Sequence, residues 1–158
     1  MLAKLTEGIV KFLSTICIIL IVGLTIIVFL QVLTRVMEIS LPWTEELARL
    51  LLIWLTFMGS SLALQQKMHL SVDFFVNLAK QNLRSLIGLF IHLLMILFFI
   101  ILVVYGFQLT MKSMDNASST LQWPMGIFYI VIPLSAILSI YFVVINMFHF
   151  VRKGGTTL

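Results

Sequence analysis

The stretch FLSTICIILIVGLTIIVFLQVLT, Phe12–Thr34, governs how the rest of the chain is read, because its 23 residues contain no charge. About 20 mostly apolar residues in a helix cover the hydrocarbon thickness of a bilayer, so this segment predicts a membrane-crossing helix. Its apolar run exceeds the roughly 7–15 residues of a secretory signal, and no small-x-small cleavage pattern follows, so a retained anchor is expected. Working outward, Leu50–Gln66 gives 17 further uncharged residues, Ser85–Met111 gives 27 and Asn116–Val151 gives 36. Trp123-Pro124 divides the last of these into a polar loop and a span. The predicted fold is an all-α membrane protein with four transmembrane helices at about 12–34, 50–66, 86–110 and 125–148, forming one integral membrane domain over residues 1–158.

Composition agrees. Of 158 residues, 61% are hydrophobic and 10% charged, and the mean hydropathy is +1.17. A soluble domain is about half apolar and about a quarter charged, and a globule this small cannot hide such an excess. That excludes a soluble enzyme, a disordered tail and a nucleic-acid binder. The net charge of +4 is scattered along the chain. The lone thiol, Cys17, excludes an internal disulfide, an iron–sulfur cluster and a cysteine-built zinc site.

Basic residues predict the orientation. With four spans, the two termini and the middle connection share a side, which holds Lys4, Lys11, Lys67, Lys80, Arg84, Arg152 and Lys153. The opposite side holds Arg35, Arg49 and Lys112. The surplus of Lys/Arg marks the cytoplasmic face, so both termini are expected in the cytoplasm, with the interfacial anchors Trp43 and Trp123 at the outer boundary.

Two connections have the pattern of helices lying along the membrane. At about 41–50, Trp43, Leu47, Leu50, Leu51 and Trp54 share one helical face, while Glu45, Glu46 and Arg49 share the opposite one. Arg49 follows the two carboxylates at i+4 and i+3, so ion pairing along the helix is available; Thr44 or Ser40 is the expected N-cap. At about 68–83, His69, Asp73, Asn77, Lys80, Gln81 and Arg84 form a polar stripe opposite Met68, Val72, Phe75, Val76, Ala79 and Leu83. Amphipathic helices of this kind settle in the headgroup plane. The alternative is that both segments are solvated caps on their neighbouring spans.

Little catalytic chemistry is available. No nucleophile–base pair, phosphate loop or HExxH-type pattern occurs, and no catalytic, metal or cofactor residues are expected. Ion-coupled carriers commonly bind at the midplane through buried carboxylates and broken helices, yet no span interior here contains Asp, Glu, Lys or Arg. His92 reads as a neutral histidine hydrogen-bonded to a neighbouring helix, and Gln31 and Asn146 as interhelical glue. His92 and His149 together would allow bis-imidazole haem ligation, but no second such pair or companion motif accompanies them. Gly59-Ser60-Ser61-Leu62-Ala63 puts small residues one turn apart, permitting close helix approach.

Arg35 closing the first span, Trp43-Thr44-Glu45-Glu46-Leu47-Ala48-Arg49, Trp54, Gly59, Ala63 and His69-Leu70-Ser71-Val72-Asp73 together resemble the small membrane subunit of tripartite ATP-independent periplasmic (TRAP) transporters. Leu121-Gln122-Trp123-Pro124, Tyr129 and Pro133 are similar to that family's entry into its fourth helix, whereas Val36 stands where many members carry an aromatic residue. The resemblance implies a non-catalytic subunit in the bacterial inner membrane that steadies the static scaffold of a large elevator-type subunit. It implies two protein partners, that large subunit and a periplasmic substrate-binding protein, alongside membrane lipids. The transported species would be an organic acid, of C4-dicarboxylate or sialic acid type, with Na+ coupling in the large partner. Arg35, Trp43, Glu45, Glu46, Arg49, Trp54, His69 and Asp73 are the expected partner or arm contacts. The residues alone leave open an independent tetraspan protein forming a homo-oligomeric channel or scaffold.

Overall fold

The computed structural model describes the backbone of residues 2–39, 41–77 and 81–152, and the side chains of residues 6–39, 41–66 and 86–148. Its helices are α1 (Leu2–Val36), α2 (Pro42–Asn77), α3 (Gln81–Ser113), the short α4 (Gly126–Tyr129) and α5 (Val131–Arg152). Among the described residues, four segments are long and apolar enough to cross a bilayer: Thr6–Val36, Pro42–Gln66, Leu86–Ser113 and Gly126–Phe148. They contain the first three spans predicted from the charge-free stretches and match the fourth to within one residue. The two arm segments are not separate helices. Residues 42–50 supply the opening turns of α2, whose backbone continues without a break to Asn77; of the second segment, 68–77 close α2 and 81–83 open α3, and 78–80 lie outside the described residues. The side chains of His69 and Asp73 lie outside the described residues.

Local sequence explains the helix ends. α1 closes with Glu38 in the left-handed region (φ 59°). The Glu38 amide donates to the Arg35 carbonyl (3.2 Å) and the Ile39 amide to the Thr34 carbonyl (2.9 Å), a Schellman closure with a glutamate in the seat glycine usually takes. Arg35 in the last turn complements the helix dipole. α2 opens on Pro42, whose missing N–H has no helical partner to lose at that position. Thr44 is not the N-cap. It lies inside the helix, and its hydroxyl donates back to the Leu41 carbonyl at 2.6 Å; Ser40 lies outside the described residues. The expected fourth span is two consecutive helices, because Pro133 cannot donate to the Tyr129 carbonyl one turn earlier and α4 stops at Tyr129.

Within the bundle, α5 packs against both α2 and α3, while α1 lies along α2. Buried and half-buried positions on α1 recur as Leu13, Cys17, Leu20, Leu24, Ile27, Gln31 and Thr34, a 4-3 alternation that is the heptad spacing of left-handed packing. Cys17, Met58 and Val131 join α1, α2 and α5 in one cluster. Lipid provides no hydrophobic drive to pair helices, so small residues and interhelical hydrogen bonds carry the association. Gly106 of α3 illustrates this: a Cβ there would lie 2.9 Å from Ile132 Cγ2 and 3.3 Å from the Pro133 backbone nitrogen. Between α2 and α5, buried Ser61, Ser135 and Ser139 form a knot. Ser61 Oγ lies 3.0 Å from the Ser135 carbonyl and 2.9 Å from Ser139 Oγ.

Gly106→Val is expected to destabilise the α3–α5 contact by about 1–3 kcal/mol through overpacking. Ser139→Ala should cost roughly 0.6 kcal/mol, the average of interhelical hydrogen bonds in membranes. Melting temperatures in detergent distinguish the two.

Candidate functional site

At one end of the bundle, the α1–α2 connection and residues 114–125 between α3 and α4 come together. The latter segment folds back on itself. Ala117 bridges Pro124, the Ser118 amide donates to the Trp123 carbonyl (2.8 Å) and the Met125 amide to the Asn116 carbonyl (2.8 Å). Gln122 takes a positive φ of 56° to complete the turn. Gly126 admits the returning chain, since a Cβ there would meet Met114 Sδ at 2.6 Å and the Thr110 carbonyl at 2.9 Å.

Glu46 fastens this loop to α2. Its carboxylate accepts from the buried Ser118 hydroxyl, from the Thr120 amide (3.0 Å) and from the Leu121 amide (2.9 Å). Three donors converging on one carboxylate form a charge-assisted set, each bond stronger than a neutral one. About two helical turns further on, the Trp54 indole Nε1 donates to the Ile127 carbonyl of α4 at 3.2 Å. Glu46 and Trp54 thus hold the start of α2 against both the loop and α4.

Adjacent residues on a helix point about 100° apart, and Glu45 does not share this task. It is exposed and lines a cleft of about 320 Å³ with Gln31, Thr34, Arg35 and Glu38. Arg49 is also exposed. Among the described residues, neither Glu45 nor Glu46 is ion-paired with Arg49, so the pairing permitted by their spacing is not made. Trp43 and Trp123, at 36% and 46% exposed, stand at this same end of the bundle.

Of the eight contact residues expected from sequence, the structure therefore brings Arg35, Trp43, Glu45, Glu46, Arg49 and Trp54 to one end, and His69 and Asp73 fall outside the described side chains. Ser118 was not legible beforehand, because a serine in a Ser/Thr-rich loop carries no signal of a carboxylate 72 positions away. Ser135 and Ser139 carried a weak one, as hydroxyls one turn apart in an apolar helix. His92 is buried, with Nδ1 2.7 Å from the Gly88 carbonyl of its own helix. Among the described residues, no group of three His, Cys, Asp or Glu could hold a metal ion. The arrangement organises backbone; it presents no reacting pair.

Glu46→Gln replaces one acceptor oxygen with an amide that faces N–H donors. Hydrogen exchange at the Thr120 and Leu121 amides should accelerate, with helix amides of α5 unaffected; Ser118→Ala should produce a smaller effect at the same two sites. Hydrogen–deuterium exchange mass spectrometry reads both.

The family described as tripartite ATP-independent periplasmic transporters, DctQ component, matches residues 24–153. A Haemophilus influenzae Rd protein named as a TRAP transporter small permease protein is 32% identical over 143 residues, covering 87% of this chain and 86% of that relative. The sialic acid TRAP transporter permease protein SiaT of another Haemophilus influenzae strain is 31% identical over 83 residues, which is 52% of this chain and 14% of that much longer relative. With four membrane-length helices and a match over most of its length, the chain belongs to the DctQ component family of the TRAP transporters.

Proposed function

We propose that this chain is the small subunit that braces the immobile part of a large, sodium-coupled TRAP permease for organic acids, a periplasmic binding protein delivering the substrate. The observation that carries this reading is the contrast between the span interiors and their outer faces. The charge-free stretches hold no carboxylate that would couple an ion to a substrate. Yet α1 and α3 turn long apolar faces outward, and only 6% and 11% of their most apolar windows are buried, against 44% for the α4–α5 segment. Helices so thinly covered by their own chain give a larger membrane partner broad contact area. The SiaT relative is consistent with such a partner, because its related stretch occupies 14% of one continuous permease polypeptide. Its printed name supports an organic acid of the sialic acid type; a C4-dicarboxylate is the other substrate class the family resemblance implies.

In this reading the spans stiffen the scaffold, and the cap held by Glu46 fixes α2 relative to the α3–α4 loop while the partner's transport domain moves. The turns of α2 beyond its charge-free stretch, at 42–49 and 67–77, lengthen the helix available to the partner. The seven-to-three distribution of Lys/Arg supports an orientation with both termini on the cytoplasmic side of the inner membrane. Exposed Arg49 is then free to meet a carboxylate of the large subunit. A surface pair is worth only about 0–1 kcal/mol, so its role is to set register.

Co-expression with a cognate large subunit and binding protein, followed by uptake in proteoliposomes, tests the assignment. Sialic acid or dicarboxylate should accumulate with a sodium gradient only when the large subunit is present, and accumulation by the small chain alone overturns the reading. Arg49→Glu should reduce co-purification with the large subunit. For orientation, Thr120→Cys in a Cys17→Ala background should react with an impermeant maleimide added outside intact spheroplasts; labelling only after lysis reverses the topology.

A further inference from the structure

We propose that the cleft between the end of α1 and the start of α2 seats one zwitterionic phospholipid headgroup of the phosphoethanolamine class. The location comes first. The cleft of about 320 Å³ is lined by Gln31, Thr34 and Arg35 on α1 and by Glu38 and Glu45 beyond it. The charge-free run of α1 ends at Thr34, so the cleft opens where hydrocarbon gives way to headgroups, whichever face of the membrane that is. The cleft's own wall adds apolar surface from Ile39, Leu41 and Pro42.

The charges then select the ligand. One guanidinium and two carboxylates share the cleft, and among the described residues Arg35 is not ion-paired with either Glu38 or Glu45. A ligand that satisfies both signs carries an anion for Arg35 and a cation for the carboxylates. Guanidinium matches phosphate oxygens with a planar fork of donors, and a primary ammonium supplies three N–H donors to carboxylates. A headgroup bearing phosphate alone would meet two carboxylates with no cation to offset them. A trimethylammonium lacks N–H donors altogether. Phosphoethanolamine meets both demands. Gln31 adds a side-chain amide that, among the described residues, has no partner. Glu38 occupies its place at the cost of a left-handed backbone (φ 59°) that glycine adopts freely, which keeps a carboxylate at this rim where a helix end alone would favour glycine.

The test uses the full-length chain reconstituted in nanodiscs of equimolar phosphatidylethanolamine, phosphatidylglycerol and phosphatidylcholine, with retained lipid read by native mass spectrometry after extraction. Phosphatidylethanolamine should be retained preferentially at about one per chain. Arg35→Gln should lower that retention roughly tenfold, the scale of a charge-assisted contact of about 1.4 kcal/mol, while Arg35→Lys retains most of it. Glu45→Gln, and separately Glu38→Gln, should narrow the preference over phosphatidylglycerol. Monodisperse size-exclusion profiles establish that each variant folds, and Arg35→Lys serves as the charge-preserving control. Equal retention of the three lipids, or retention indifferent to Arg35→Gln, overturns the proposal. So does saturable binding of soluble O-phosphoethanolamine by delipidated protein without any preference among the lipids, which would assign the cleft to a free headgroup compound.

Discussion

In hydrocarbon, each unpaired backbone polar group is costly and apolar surface gains nothing by being covered. α5 answers both demands. It runs between α2 and α3, and Val131, Ala136, Phe142 and Val143 on it are almost fully covered. Where it meets α3, a glycine removes the obstacle; where it meets α2, the Ser61 and Ser139 hydroxyls find one another and the Ser135 carbonyl. The rest of the bundle is arranged around that helix. α1 sits further out, on α2, and keeps most of its surface for whatever surrounds the protein.

The cap is built on a different principle. Near the end of the bundle water competes for hydrogen bonds, so Glu46 works there by multiplicity, gathering one hydroxyl and two amides from a single short loop. Its neighbour Glu45 turns into the cleft with Arg35 and Glu38. Two adjacent glutamates therefore divide their duties, one internal to the chain and one open to the surroundings.

The spans were legible because the signal is long. Twenty-odd residues of uninterrupted apolar character admit one physical solution in a bilayer, and Phe12–Thr34 and Ser85–Met111 needed no tertiary information. Pro133 stands inside the fourth predicted span, and the boundary after Tyr129 follows from its missing N–H. The cap was legible only in part. Helical spacing put Glu45, Glu46 and Arg49 on one face opposite Trp54, whereas Glu45 turns into the cleft and Glu46 faces the loop beside Trp54; i+3 and i+4 geometry only permits an ion pair. It cannot weigh that pair against three donors on a loop 72–75 positions further along the chain. Thr44 shows the same limit: a residue type suited to capping was present, yet Pro42 had already begun the helix two residues earlier.

The inward face of α1 carries one further consequence. Because Leu13, Cys17, Leu20, Leu24, Ile27, Gln31 and Thr34 alternate by four and three, the seam with α2 stays in step only while the count between its ends is preserved. One residue inserted midway would swing everything beyond it through about 100°, carrying Gln31 and Thr34 away from α2 and dismantling the wall of the cleft. Seven residues would restore the bearing but push Arg35 some 10 Å past its present depth, at 1.5 Å per residue. The length of the first helix is thereby quantised: evolution is free to exchange its outward side chains one at a time, but has almost no freedom to add or remove them.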